Sequence, residues 1–209
     1  MELMIIFWYG VLHAFGPDHL SAIADFSIGK ERKRTLLVTL FFALGHGVML
    51  FVFAKLLEEH IVAHEYLQYA DTLAAMLIAF MGAYLLLTVA LKRVHLKKHM
   101  HNEKEHIHIW FGSEHSHSSK SGLSALGIGA LMGIGGARGM VVVLSVAGNV
   151  SFEVVGAFVI GVSVVFLGLG LLISIFNSKF LGNITNVRRT VFGVGGVSLL
   201  VGLNMLAGV

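Results

Sequence analysis

Six stretches of this chain stay apolar for about 20 residues or more, the length a helix needs to cross the hydrocarbon core of a bilayer. They run from about Leu3 to Ser27, Thr35 to Leu57, Tyr69 to Leu91, Leu123 to Ala147, Val154 to Ile175, and from Thr190 to the C-terminus. A soluble fold has too little polar surface to hide that much grease. Only 13% of the residues are charged, against about 25% in an ordinary soluble domain. The expectation is an all-α membrane protein of six transmembrane helices. The N-terminus, Met-Glu-Leu-Met-Ile-Ile, has no basic region and no small-residue cleavage site, so it is expected to start the first span rather than to be removed.

The basic residues sort themselves between these runs. Lys30, Arg32, Lys33 and Arg34 fall between the first and second. Lys92, Arg93, Lys97, Lys98, Lys104 and Lys120 fall between the third and fourth, and Lys179, Arg188 and Arg189 between the fifth and sixth. With six spans all thirteen lie on one side, and only Lys55 lies on the other. Positive loops stay in the cytoplasm. A cell-membrane protein is expected, with both termini outside and the loop of residues 92–122 inside. The net charge of +3 is then a topology signal, and no nucleic-acid partner is expected. The absence of cysteine removes disulfides, thiolate metal sites and thiol relays.

Shifted by 119 residues, the segment Gly10 to Gly29 falls on Gly129 to Gly148. Gly10, Leu12, Gly16 and Gly29 meet Gly129, Leu131, Gly135 and Gly148. Four identities among small apolar residues are weak alone, but the two segments open the first and fourth spans. An odd number of helices per half inverts the second half relative to the first, an architecture used by transporters with interrupted helices. The expected organisation is a three-helix repeat over 1–91, a loop over 92–122 and a second repeat over 123–209.

The first span carries His13-Ala14-Phe15-Gly16-Pro17-Asp18-His19. Ionisable groups inside a membrane are costly and mark function by default. On an unbroken helix, positions 13, 18 and 19 point in different directions. Pro17 removes a backbone donor and Gly16 bends easily, so a break there would let the three side chains converge. The second span places His46 between Gly45 and Gly47 near its middle. Three imidazoles and one carboxylate suit nickel, cobalt, zinc or copper(II) rather than calcium or magnesium. The plain alternative is a set of packing histidines, each hydrogen-bonded to a carbonyl.

His-x4-Asp-His in one helix followed by Leu-Gly-His-Gly in the next resembles the nickel/cobalt permease family and its six-helix relatives, the NicO-type and urease-accessory-type membrane proteins. The likeness covers about residues 10 to 50. It implies transport of a divalent metal, with His13, Asp18, His19 and His46 at the metal. Nickel or cobalt is expected as transported substrate, zinc being a further candidate, and no permanently bound cofactor is expected. The permeases usually have eight spans and later Asp-, Thr- and Glu-containing motifs, for which this chain offers no good match.

Other residues attract attention. Arg138 falls inside the fourth apolar run, opposite His19 in the repeat alignment, and is expected to pair with Asp18, Asp25 or a carbonyl as a gate or counter-charge. Met132 falls opposite His13 and reads as packing. The 92–122 loop contains His95, His99, His101, His106, His108, His115 and His117, a composition that reads as a flexible accessory metal-binding tract. His60 and His64, one helical turn apart, suggest a membrane-surface helix or a metal-collecting mouth. The expected activity is transport rather than enzymatic. The rivals are a membrane metal sensor or delivery protein for metalloenzyme assembly, with a cytoplasmic metallochaperone as partner, an intramembrane metal-dependent enzyme, and a haem-bearing electron carrier.

Overall fold

The computed structural model describes residues 1–61, 66–101, 104–111, 120–148 and 150–208. Its elements are α1 (Glu2–Ala14), α2 (Pro17–Ser27), α3 (Arg32–Glu58), α4 (Leu67–Ala90), β1 (Val94–His101), β2 (Lys104–Phe111), α5 (Lys120–Gly135), α6 (Ala137–Ala147), α7 (Phe152–Phe180) and α8 (Ile184–Gly208). Four helices, α3, α4, α7 and α8, are each long and apolar enough to cross a membrane, and α5 with α6 makes a fifth when taken as one bent span. At 13 residues α1 is too short to cross alone, since a helix rises only about 1.5 Å per residue. The first apolar run is therefore two short helices, not one straight span. Pro17 explains the division. It cannot continue α1, but it suits the first position of α2, where no donor is needed and its φ is already helical.

The fourth apolar run is divided as well. α5 and α6 meet at Gly136 with a bend of 51°. Each short helix after a break ends in a glycine with left-handed backbone, Gly29 at φ 74° and Gly148 at φ 72°. These two are partners under the 119-residue shift, and the conformation favours glycine at both.

Helix pairing follows the same pattern. α1 packs on α7, α5 on α3, and α4 on α8. At Gly10 of α1 an added Cβ would run into the Phe158 carbonyl of α7, and at Gly161 of α7 into the Phe7 carbonyl of α1. The α5–α3 pair repeats this, with Gly129 against the Phe42 carbonyl and Gly45 against the Leu126 carbonyl. Small residues let helix backbones touch where lipid offers no hydrophobic drive to association. Away from these seams the helices carry rows of exposed apolar side chains. Leu37, Leu40, Leu44 and Val48 do so on α3, and Ile160, Val164, Leu167 and Leu171 on α7. A belt of that size in water would aggregate, and it fits lipid.

The loop between the third and fourth apolar runs was expected to be flexible and the fold purely helical. The fold is mostly helical rather than purely so: among the described residues β1 and β2 form an antiparallel hairpin. Val94, Leu96 and Ile109 join Ile28, Leu181, Val187 and Val191 in a small apolar cluster. The hairpin thus seats on the ends of α2, α7 and α8 that bear the basic residues. Strand alternation supplies the apolar face.

Candidate metal centre

The break after α1 brings the sequence motif together. His13 lies one residue before the end of α1, and Asp18 and His19 sit in the first turn of α2. His46 comes from the middle of α3. One ring nitrogen from each of His13, His19 and His46 lies within 4.8 Å of the other two. Ring centroids are 4.9 Å apart for His13–His19, 4.9 Å for His19–His46 and 5.9 Å for His13–His46. His19 and His46 are buried.

The reading of isolated, carbonyl-bonded packing histidines does not match this geometry. His13 Nε2 and His19 Nε2 are buried without a hydrogen-bond partner among the described residues, whereas His46 has the Gly129 backbone beside it. A buried polar atom left unpaired costs about 1–3 kcal/mol. Two such atoms beside the His46 ring are consistent with lone pairs kept free for a guest.

Asp18 does not face the centre in the same way. Its Oδ1 accepts a 2.7 Å hydrogen bond from His19 Nδ1. An ionised carboxylate can only accept, so Nδ1 carries the hydrogen and Nε2 keeps its lone pair. Metal-bound histidines are commonly oriented by a carboxylate in this manner.

The second half of the chain forms the rest of the wall. At Gly136, in the α5–α6 break, an added Cβ would lie 3.1 Å from His13 Nε2 and 3.4 Å from the His46 ring, and at Gly139 one would lie 3.3 Å from His13 Nδ1. Any side chain there would crowd the imidazoles. Phe158 and Phe166 of α7 and Phe42 of α3 enclose them, with Phe166 ring centres 5.6 Å from His19 and 5.5 Å from His46. Phe158 and Phe166, eight residues apart on one helix face, were not singled out from the sequence. The signal available was only that spacing.

Arg138 does not pair with Asp18 or Asp25. Its Nε donates to Asp71 Oδ2 at 2.6 Å. The physical reason is the bend at Gly136, which makes Arg138 the second residue of α6 and turns it toward the start of α4. Its side chain is 57% exposed. Asp71 is close enough to Asp18 for their charges to interact. Met132 is core, 1% exposed.

The hairpin register pairs His99 with His106, Lys97 with His108 and His95 with Trp110. His95, His99 and His101 are alternate positions of β1, and His106 and His108 stand opposite that same set. His60 is at the end of α3 with φ 54°. His64, His115 and His117 lie outside the described residues.

The family model for NicO, described as a high-affinity nickel-transport protein, matches residues 2–137. The chain belongs to this family. The match includes the first break, all three clustered imidazoles and the hinge at Gly136. No match is found among curated proteins or among solved structures. NicO is a family of transporters, not of enzymes. With its apolar helices, the chain is a multi-pass membrane protein of nickel transport.

Proposed function

We propose that the chain carries Ni²⁺ or Co²⁺ across the cell membrane through a site made by His13, His19 and His46, with Asp18 at its edge; Zn²⁺ is the next candidate. The observation that carries this is the meeting of three imidazoles from three helices, α1, α2 and α3, with ring nitrogens turned to one another in an aromatic enclosure. Nitrogen donors suit these ions. The metal is cargo and no other cofactor is needed. The proposed topology has six membrane passes, the two broken ones being α1–α2 and α5–α6, with 1–91 and 123–209 as inverted repeats. The reciprocal glycine contacts and the matched Gly29 and Gly148 support it. Both termini face out and the hairpin faces the cytoplasm. Arg138 and Asp71 join the second half to the first beside the site, and we read them as a gate that opens when the hinge at Gly136 moves.

The second reading, metal sensing or delivery with a metallochaperone, draws on the histidines of β1 and β2. In it the hairpin histidines His95, His99, His101, His106 and His108, with His115 and His117, hold metal for hand-over. Reconstituted vesicles separate the two. Loaded with a metal-sensitive dye, they should take up Ni²⁺ or Co²⁺. His13→Ala, His19→Ala and His46→Ala should each abolish flux, and removal of residues 95–117 should leave it. Flux at the wild-type rate in a histidine variant removes that residue from the site. Flux lost only on removal of 95–117 favours the sensor.

A further inference from the structure

One buried carboxylate has no part in the metal site. Asp25 lies seven residues after Asp18 on α2, so it is on the same helix face and about 10 Å further along the axis. It is 8% exposed. Its Oδ1 accepts a 2.9 Å hydrogen bond from the Ser198 hydroxyl of α8, and its Oδ2 is buried with no partner among the described residues. A pocket lined by Leu20, Ser21, Ala24, Val197 and Ser198 opens beside it.

No described cation neutralises Asp25. Of the elements packed on α2, α3 brings His46 beside His19, and its other charged residues, Arg32, Lys33, Arg34, Lys55 and Glu58, belong to its end turns. α4 brings Asp71, which is paired with Arg138. Glu153 and Lys179 belong to the end turns of α7, and Arg188 and Arg189 lie in the second turn of α8, ten and nine residues before Ser198. Lys30, five residues on, donates to the Phe26 carbonyl instead. A carboxylate buried in apolar surroundings without a cation is stable only when protonated or when a mobile cation joins it. One carboxylate with one hydroxyl gives too few oxygens to strip water from a metal ion, which takes about six donors. The proton is the cation that fits.

Building on the transport reading, we infer that Asp25 is the proton-exchanging group of the cycle, holding a proton when the histidine site is empty and releasing it when a divalent ion binds there. The coupling is electrostatic. A double positive charge about 10 Å away in a medium of low dielectric disfavours a neutral acid relative to its anion. Release leaves the carboxylate and sends one proton to water on the side then open. Rebinding from the opposite side completes a metal–proton exchange. A merely structural link between α2 and α8 needs no charge and would be served as well by asparagine.

The test uses the full chain in vesicles, with Asp25→Asn and, to guard against misfolding, Asp25→Glu. The histidines also shed protons on binding metal, so one readout must be specific for a carboxyl group. Infrared difference spectra on adding Ni²⁺ should show loss of a carboxylic-acid carbonyl band in the wild type and none in Asp25→Asn. Asp25→Asn should keep Ni²⁺ binding and Ni²⁺/Ni²⁺ exchange across the vesicle, but lose accumulation driven by a pH gradient. Asp25→Glu should recover part of that accumulation. A band that persists in Asp25→Asn, gradient-driven accumulation that survives in it, or loss of Ni²⁺ binding itself overturns the assignment. Wild-type vesicles that move no metal overturn the transport reading, and this one with it.

Discussion

At the scale of single residues, the site turns on which nitrogen each imidazole leaves free. His19 is the one whose tautomer is fixed, because Asp18 accepts from its Nδ1. Asp18→Asn keeps the shape but replaces a pure acceptor with an amide that can present either a donor or a weaker acceptor. Loss of a carboxylate behind a metal-bound histidine weakens metal binding by roughly 10–100-fold. Calorimetric titration of the variant with Ni²⁺ should read a loss of that order with the fold intact. Complete loss, equal to that of His19→Ala, would make Asp18 a direct ligand instead. Protons compete for the same lone pairs, since only neutral imidazole binds metal. Affinity should therefore weaken, never strengthen, on acidification. Ni²⁺ titrations between about pH 5.5 and 8 check the sign, and affinity that rises on acidification would exclude imidazole ligands.

At the scale of elements, much of the site was legible because it rests on local rules. The Gly16-Pro17 break follows from proline's missing donor, and that break brings His13 and His19 to within 4.9 Å. His46 could be matched in depth because α3 is a continuous helix. What failed was anything set by distant contacts. Arg138 was placed in a straight span, but Gly136 bends the helix and sends the guanidinium to Asp71. The hairpin was hidden by its polar face. Histidine and lysine at alternate positions read as loop, although Val94, Leu96, Ile107 and Ile109 keep the period of a strand. The glycine seams make a prediction at this scale. Gly129→Val would push a side chain into the Phe42 carbonyl, whereas Gly127 has open space around it. Overpacking costs about 1–3 kcal/mol or more, and Gly→Ala inside an open helix gains about 0.5–1 kcal/mol. Thermal unfolding in detergent should show Gly129→Val clearly destabilised and Gly127→Ala unchanged or more stable. Equal midpoints would mean that the α3–α5 seam is not closely packed in the protein.

At the scale of the whole molecule, the two proposed repeats carry different chemistry. Under the shift that matches Gly10 with Gly129, His13 and His19 correspond to Met132 and Arg138. The first half thus supplies the nitrogen donors and Phe42, and the second supplies the bend at Gly136 and the rest of the aromatic wall, Phe158 and Phe166. That division works as a transporter only if the halves lie inverted in one bilayer, so that a rocking motion opens the shared site first to one side and then to the other. The orientation is open to direct measurement because the chain has no cysteine to interfere. Glu59, just past α3, and Thr185, in the first turn of α8, are both exposed. In the proposed topology Thr185 is on the cytoplasmic side and Glu59 on the outer side. In intact cells a membrane-impermeant thiol reagent should label Glu59→Cys at once, and Thr185→Cys only after the membrane is opened. Labelling of both from outside would break the span count between them. The reverse pattern would turn the molecule over, bringing the histidines of the hairpin to the outer surface, where they would meet incoming metal rather than metal already inside.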